Sequence, residues 1–261
     1  HTGGAVSGVP DDVVEERSKR YTLNLLETPG WKKVETEKLV AVGDVPEPAL
    51  KLLTATGEEF IEMLSREIGE TAQIYQARRP PHHQYQVRLF DKRKDFCRYA
   101  NICGASNALS LYNPVSREMG LHFGDDADHE EFEQTYAHEF THAFMDQVYR
   151  VTEPLWFAEG MAEYFSRLEW TKRGYKPTGR NWKAMMHMAE ELIPLPKILA
   201  ATRGDMYGLN FPLYYAEAWA LVRVLLKNHP ELVHVLLKKG KPNLEYLSND
   251  FMAYMKRLRR G

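Results

Sequence analysis

The sequence predicts an α+β fold in which a strand-rich first half is followed by a mostly helical second half. Before residue 128, short segments rich in β-branched and aromatic residues alternate with turn signals. After residue 128, apolar residues recur mainly at helical spacing. Hydrophobic residues make up 44% of the 261 residues, enough for a sizeable core. The length fits one large domain, or one domain with a smaller appendage.

Composition and charge exclude several classes of partner. The formal net charge of -2 gives no reason to expect binding to nucleic acid or to an anionic membrane surface. No run of about 18 apolar residues is present, so no integral membrane segment is expected. Cys97 and Cys103 are either free buried thiols or a short-loop disulfide. Without a CxxC pair, a cysteine metal site is not expected.

Residues 1–20 are polar and charged and predict a loose arm, followed by an N-terminal α/β part over 21–128. The elements predicted in this part are a strand within 38–45, a helix over 46–70, a strand over 84–90, a helix that begins within 91–100, and two strands within 107–123. Tyr85, Val87 and Leu89 alternate along the strand over 84–90 and predict that it is half-buried. Asn113-Pro114 marks the turn between the last two strands.

The helical part predicted over 129–261 begins with one long helix over 129–150. Asp128 is its expected N-cap, with Glu131 completing a capping box. Pro154 fits the start of the next helix. A loop is predicted over 171–181, and the helices after it include one over 214–228.

The stretch "AHEFTHAF" (137–144) carries two histidines on one face of the first of these helices. His138 and His142 are four residues apart, so both rings can reach one metal ion. Imidazole nitrogen suits Zn²⁺. Glu139 follows the first histidine, where its carboxylate can take a proton from a metal-activated water without binding the ion. The alternative is a solvated helix face.

A third ligand is expected seventeen residues after His142, at Glu159 in "WFAEGMAEYF". A catalytic zinc site needs three protein ligands and an open position. Gly160 is expected to let the two helices approach closely. Glu163, one turn after Glu159, can accept the ring N–H of a zinc-bound histidine, most simply His138, and fix its tautomer. The alternative is that both glutamates are exposed.

"HEFTH" followed by "LWFAEGMAEYF" resembles the gluzincin metallopeptidases, the HExxH…E class, and among them the peptidase-MA-like bacterial proteins. "YQVRLFDKRKDF" and "YYAEAWALVRVL" are also similar to segments of that group, so the resemblance covers about residues 84–227. It implies a zincin-like fold with one Zn²⁺ between a strand-rich subdomain and a helical one. It also implies that His138, His142 and Glu159 are ligands and that Glu139 is the general base.

The same resemblance implies that a tyrosine from a later helix stabilises the oxyanion. Tyr215 matches that position best, and Tyr214 is the alternative. It also implies an edge strand within 104–112 that binds an extended peptide, with Ala108, Leu109, Ser110 and Leu111 as the contact residues. Ser106 and Asn107 stand where aminopeptidases have Met and an amine-binding Glu. This departure favours an endopeptidase, although the exo or endo mode stays open.

The sequence therefore predicts a zinc peptidase that acts on peptide or protein substrates. The alternatives are a zinc-containing binding module without turnover and a zinc hydrolase of non-peptide amides. The intact Glu139 argues against the binding module. The start without Met and the family resemblance favour an extracytoplasmic or secreted location. The oligomeric state stays undetermined.

Overall fold

The structure, a computed structural model, describes residues 30–68, 84–105, 108–123, 129–171, 174–177, 182 and 191–258. It is an α+β protein with a five-stranded mixed sheet, which confirms the predicted class. The arm over 1–20 and the N-cap at Asp128 lie outside the described residues. None of the helices described is long and apolar enough to span a membrane.

The chain divides into two compact units. Of the described residues, the first contains 30–63, 84–105, 108–123 and 129–143, and the second contains 64–68, 144–171, 174–177, 182 and 191–258. The last change from the first unit to the second follows Ala143, and the boundary predicted at residue 128 stays a prediction.

The first unit contains the mixed sheet. Its strands are β1 (Lys32–Glu35), β2 (Leu39–Gly43), β3 (Tyr85–Phe90), β4 (Leu111–Asn113) and β5 (Glu118–His122), arranged in the order β1-β2-β3-β5-β4. Strands β2, β3 and β5 run parallel, while β1 and β4 pair antiparallel at the two edges. The two strands predicted on either side of Asn113-Pro114 are confirmed, and β1 was not predicted.

Among the described residues, three helices accompany the sheet: α1 (Glu47–Glu67), α2 (Arg93–Ile102) and α3 (His129–Phe144). The apolar residues that predicted α1 are all buried, namely Leu50, Leu53, Phe60, Ile61, Leu64 and Ile68. Helix α3 continues into a π-helical turn, Met145–Tyr149, so the long helix predicted over 129–150 is confirmed except for the hydrogen-bond pattern of its last turn. Arg150 ends it with a left-handed backbone, φ 58°.

Strand β3 is buried on both faces, so the prediction of a half-buried strand is wrong. Arg88 is fully buried and forms an ion pair with Glu118 on the neighbouring β5. The guanidinium of Arg88 also lies 5.9 Å from the ring centroid of Tyr99 on α2. The face that alternation assigned to solvent is covered, because Phe90 packs against Phe96 and Tyr99 of α2. Cys97 and Cys103 are free, partly buried thiols beside this cluster.

The second unit is mostly helical. The elements that the structure describes after the π-helical turn are α4 (Leu155–Ser166), β6 (Leu168–Thr171), β7 (Gly174–Pro177), α5 (Leu195–Leu199), α6 (Arg203–Met206), α7 (Phe211–Asn228), α8 (Pro230–Leu237), a 3₁₀ turn (Glu245–Leu247) and α9 (Ser248–Leu258). The predicted start of α4 after Pro154 is confirmed, and so is the helix over 214–228, which begins three residues earlier. The loop predicted over 171–181 is wrong at Thr171 and over Gly174–Pro177, because β6 and β7 pair as antiparallel strands, and the rest of that range lies outside the described residues.

Helices α4 and α7 pack closely at Gly160. A Cβ on Gly160 would lie 2.7 Å from the carbonyl oxygen of Ala218 and 2.8 Å from a methyl group of Val222. The close approach that this glycine permits is therefore to α7, which the sequence did not predict. It fixes α4, the helix that carries Glu159, against α7.

Candidate metal centre

Helix α3 is fixed by an aromatic face that leaves its histidines on another side. Tyr136 and Phe140, one turn apart, are fully buried. The hydroxyl of Tyr136 donates to the backbone carbonyl of Leu53 over 3.1 Å, and Phe140 packs against Tyr85 with ring centroids 4.9 Å apart. His138 follows Tyr136 by two residues, about 200° around the helix, so its side chain points away from this core.

The two histidines of α3 point their Nε2 atoms towards each other. These atoms lie 3.1 Å apart, and the ring planes meet at 74°. Two nitrogen ligands at about 2.05 Å from a tetrahedral ion would be about 3.3 Å apart. His138 and His142 therefore have the separation that binding to one ion requires.

Glu159 is buried on α4 and receives hydrogen bonds from two tyrosines. The hydroxyl of Tyr207 donates to its Oε1 over 2.6 Å, and Tyr215 is also hydrogen-bonded to it. Burial, with the charge of Glu159 as a second cause, raises the pKa of Tyr215 well above its usual value. The Tyr215 hydroxyl therefore remains a neutral donor at physiological pH.

His138, His142 and Glu159 form one group that could hold a metal ion, because one ligand atom from each residue lies within 4.8 Å of the others. Two imidazole nitrogens and one carboxylate oxygen match the donor set of catalytic zinc sites that keep a position open for water. Other first-row metals accept the same donors, so the donor set does not by itself fix the metal.

Glu139, the predicted base, is buried and accepts a hydrogen bond from Ser110. The Ser110 hydroxyl lies 2.5 Å from Oε1 of Glu139. The sequence selected Ser110 only as part of a substrate-binding strand. Nothing in the local pattern connects a serine before β4 with a glutamate on α3, since the two are 29 residues apart.

The predicted edge strand is shorter than the sequence indicated. Strand β4 lies at one edge of the sheet but begins at Leu111. Ala108, Leu109 and Ser110 precede it, and the Ala108 N–H bonds back to the carbonyl of Ala105. Only Leu111 of the four predicted contact residues therefore lies within the strand itself.

The two candidate tyrosines on α7 have different partners. Tyr214 is buried, and its hydroxyl donates to Oδ1 of Asp205 over 3.3 Å. Tyr215 contacts Glu159 instead. Tyr207 also contacts Glu159. No sequence pattern indicated this contact, because Tyr207 lies outside any motif, in the short segment after α6.

Glu163 is buried one turn after Glu159 and accepts from two residues that the sequence did not single out. Trp182 Nε1 donates over 2.7 Å, and Arg167 Nε donates over 3.2 Å. The Arg167 guanidinium also lies 4.8 Å from the Trp182 ring centroid. Glu163 therefore fixes α4 to neighbouring groups, and the expected hydrogen bond to a histidine ring stays a prediction.

In comparisons with known proteins, no family model matches the chain and no curated protein matches it significantly.

Proposed function

We propose that this protein is a zinc-dependent peptidase of the gluzincin type with a zincin-like fold. The observation that carries the proposal is the group of His138, His142 and Glu159, with Glu139 directly after the first histidine. Zn²⁺ bound by these three residues would act as a Lewis acid, making a water molecule more acidic and polarising a peptide carbonyl.

Glu139 is the general base in this proposal. It is not part of the three-residue group, so its carboxylate is available to take a proton from the attacking water. It then returns this proton to the leaving amine nitrogen. The hydrogen bond from Ser110 holds one carboxylate oxygen in place, which restricts the rotation of the Glu139 side chain.

Tyr215 is proposed as the donor to the oxyanion that forms on the substrate carbonyl. Its raised pKa keeps the hydroxyl protonated, which a hydrogen-bond donor requires. The hydroxyl is hydrogen-bonded to Glu159, a proposed ligand, and would exchange this acceptor for the oxyanion when the oxyanion forms.

The substrate is proposed to be a peptide chain in extended conformation. Strand β4 is at the end of the strand order, so one of its edges pairs with no other described strand. A peptide could add to this edge through backbone hydrogen bonds. Ala108–Leu111, which lead into β4, are the proposed contact segment, and Ser110 would then lie between the peptide and Glu139.

The test is cleavage of an unfolded protein substrate such as casein, followed by mass spectrometry of the products. Cleavage is measured for the full chain after chelation, for the full chain after reloading with Zn²⁺, and for zinc-loaded Glu139→Gln. We expect cleavage only by the zinc-loaded chain and a loss of about 10²–10⁴-fold in Glu139→Gln with unchanged zinc content.

Glu131→Gln changes an exposed glutamate of the same helix and serves as the matched control. Turnover by Glu139→Gln close to that of the unmodified chain would show that another group is the base. Zinc retention without any cleavage would instead favour a non-catalytic zinc-binding module.

A further inference from the structure

The stretch from the end of α6 to the first residue of α7 exposes three large apolar side chains within five residues. Tyr207, Leu209 and Phe211 have exposed fractions of 52%, 102% and 47%. We call these three residues the apolar rim. The intervening Gly208 and Asn210 are uncharged, so the whole stretch "YGLNF" carries no charge. Large apolar side chains exposed close together are a common feature of surfaces that bind a ligand or a partner.

The apolar rim is held in a defined position. Thr202 and Asp205 form a reciprocal capping box at the start of α6, and Tyr214 of α7 donates to the same aspartate. Gly208 lies against the backbone carbonyl of Gly204, so closely that a Cβ would overlap with it. These contacts fix the segment at both ends, so its exposed side chains present a preformed surface.

The rim is continuous with the proposed metal site through two tyrosines. The Tyr207 hydroxyl is bonded to Glu159, while its ring stays half exposed. The ring of Phe211 packs edge-on against that of Tyr215, with centroids 5.7 Å apart, and Tyr215 is also hydrogen-bonded to Glu159. A molecule that is bound beside Glu159 would therefore be placed to contact the apolar rim.

We infer that the apolar rim binds an apolar side chain of the substrate, next to the bond that is cleaved, and so selects peptides with a residue such as Leu at that position. This inference rests on the proposed peptidase function. Three side chains are too small a surface for a stable dimer, which needs several hundred Å² from each partner. They are, however, about the size needed to cover one apolar side chain, and the absence of charge on the rim disfavours an acidic one.

The test uses two peptides of equal length that are identical except for Leu or Asp beside the scissile bond. Cleavage efficiency (kcat/KM) is measured with the zinc-loaded chain. Binding is measured by calorimetry with zinc-loaded Glu139→Gln, which reports on recognition without turnover. We expect the Leu peptide to be favoured by about tenfold or more in both measurements.

Leu209→Ser and Phe211→Ser should each reduce this preference several-fold while zinc content and thermal unfolding stay unchanged. Leu52→Ser is the matched control, because Leu52 is an exposed leucine of α1 that is remote in sequence from the rim. It should keep the full preference.

The two ideas fail in different ways. If both peptides are cleaved with equal efficiency, or if the preference survives in Leu209→Ser and Phe211→Ser, the substrate-binding role of the apolar rim is wrong. The proposed peptidase function is not affected by that result. If the Leu peptide binds preferentially but no peptide is cleaved, the binding role of the apolar rim is supported and the peptidase function is wrong. Failure to bind either peptide would overturn the rim as a recognition surface.

Discussion

The hydroxyl of Ser110 donates a hydrogen bond to Oε1 of Glu139 over 2.5 Å. Glu139 is buried, so water does not readily substitute for this donor. Ser110 also lies directly before the edge strand β4. One residue thus links the carboxylate that is proposed to move the proton with the strand that is proposed to bind the peptide.

Ser110→Ala should lower kcat by about tenfold or more, since a hydrogen bond to a carboxylate contributes about 1.5–3 kcal/mol. Loss of orientation, not of binding, is the expected cause, so KM and zinc content should change little. Steady-state kinetics and elemental analysis measure both. Ser110→Thr keeps a hydroxyl and should recover most of the rate, and a Thr variant as slow as the Ala variant would contradict a role for this hydrogen bond.

The metal group predicts which substitutions abolish metal binding. After reloading and dialysis, the full chain should retain about one Zn²⁺, whereas His142→Ala and Glu159→Gln should retain far less, because a catalytic site depends on three protein ligands. Elemental analysis measures the ratio of zinc to protein. His229→Ala, a histidine outside the group, is the control and should retain zinc fully. Equal zinc in His142→Ala and the unmodified chain would mean that the ion binds elsewhere.

Glu163→Ala should reduce both stability and zinc retention. It removes the acceptor of the buried Trp182 N–H and of Arg167, which should cost about 1–3 kcal/mol of unfolding free energy. If Glu163 also accepts from the His138 ring, zinc should be lost to a chelator about 10–100-fold more readily. Denaturant unfolding and chelator competition give the two values separately. A destabilised variant with unchanged zinc retention would restrict Glu163 to its contacts with Trp182 and Arg167.

The buried Glu118 predicts a dependence of stability on pH. Burial raises its pKa from 4.5 to about 7, although Arg88 beside it acts in the opposite direction. The folded state therefore holds the proton more tightly than the unfolded state, so unfolding free energy should fall as pH rises from about 4.5 to about 7, by about 3 kcal/mol at most. Urea unfolding at several pH values measures this slope. Glu118→Gln should remove the contribution of Glu118 to this slope. If the slope is the same in Glu118→Gln, the pH dependence of the unfolding free energy comes from other groups.

The sequence predicted most of the local structure because local structure follows from local spacing. The 3.6-residue period of α1 and the alternation in β3 identified both elements within a few residues of their ends. The spacing of His138 and His142 placed both rings on one helix face, and their Nε2 atoms do converge. Where the pattern was weak, as at the short paired strands β6 and β7, the prediction of a loop was wrong for the residues that the structure describes as strand.

Only the tertiary structure decided which distant residues meet. Alternation could not show that α2 covers the second face of β3, so the burial of Arg88 beside Glu118 was not predicted. No local signal connects Ser110 with Glu139 or Tyr207 with Glu159, pairs that are 29 and 48 residues apart. Sequence periodicity reports the face on which a side chain lies, whereas its partner depends on which other element packs against that face. Which elements pack against each other depends on the burial of apolar surface over the whole core, so no single segment of the sequence determines it.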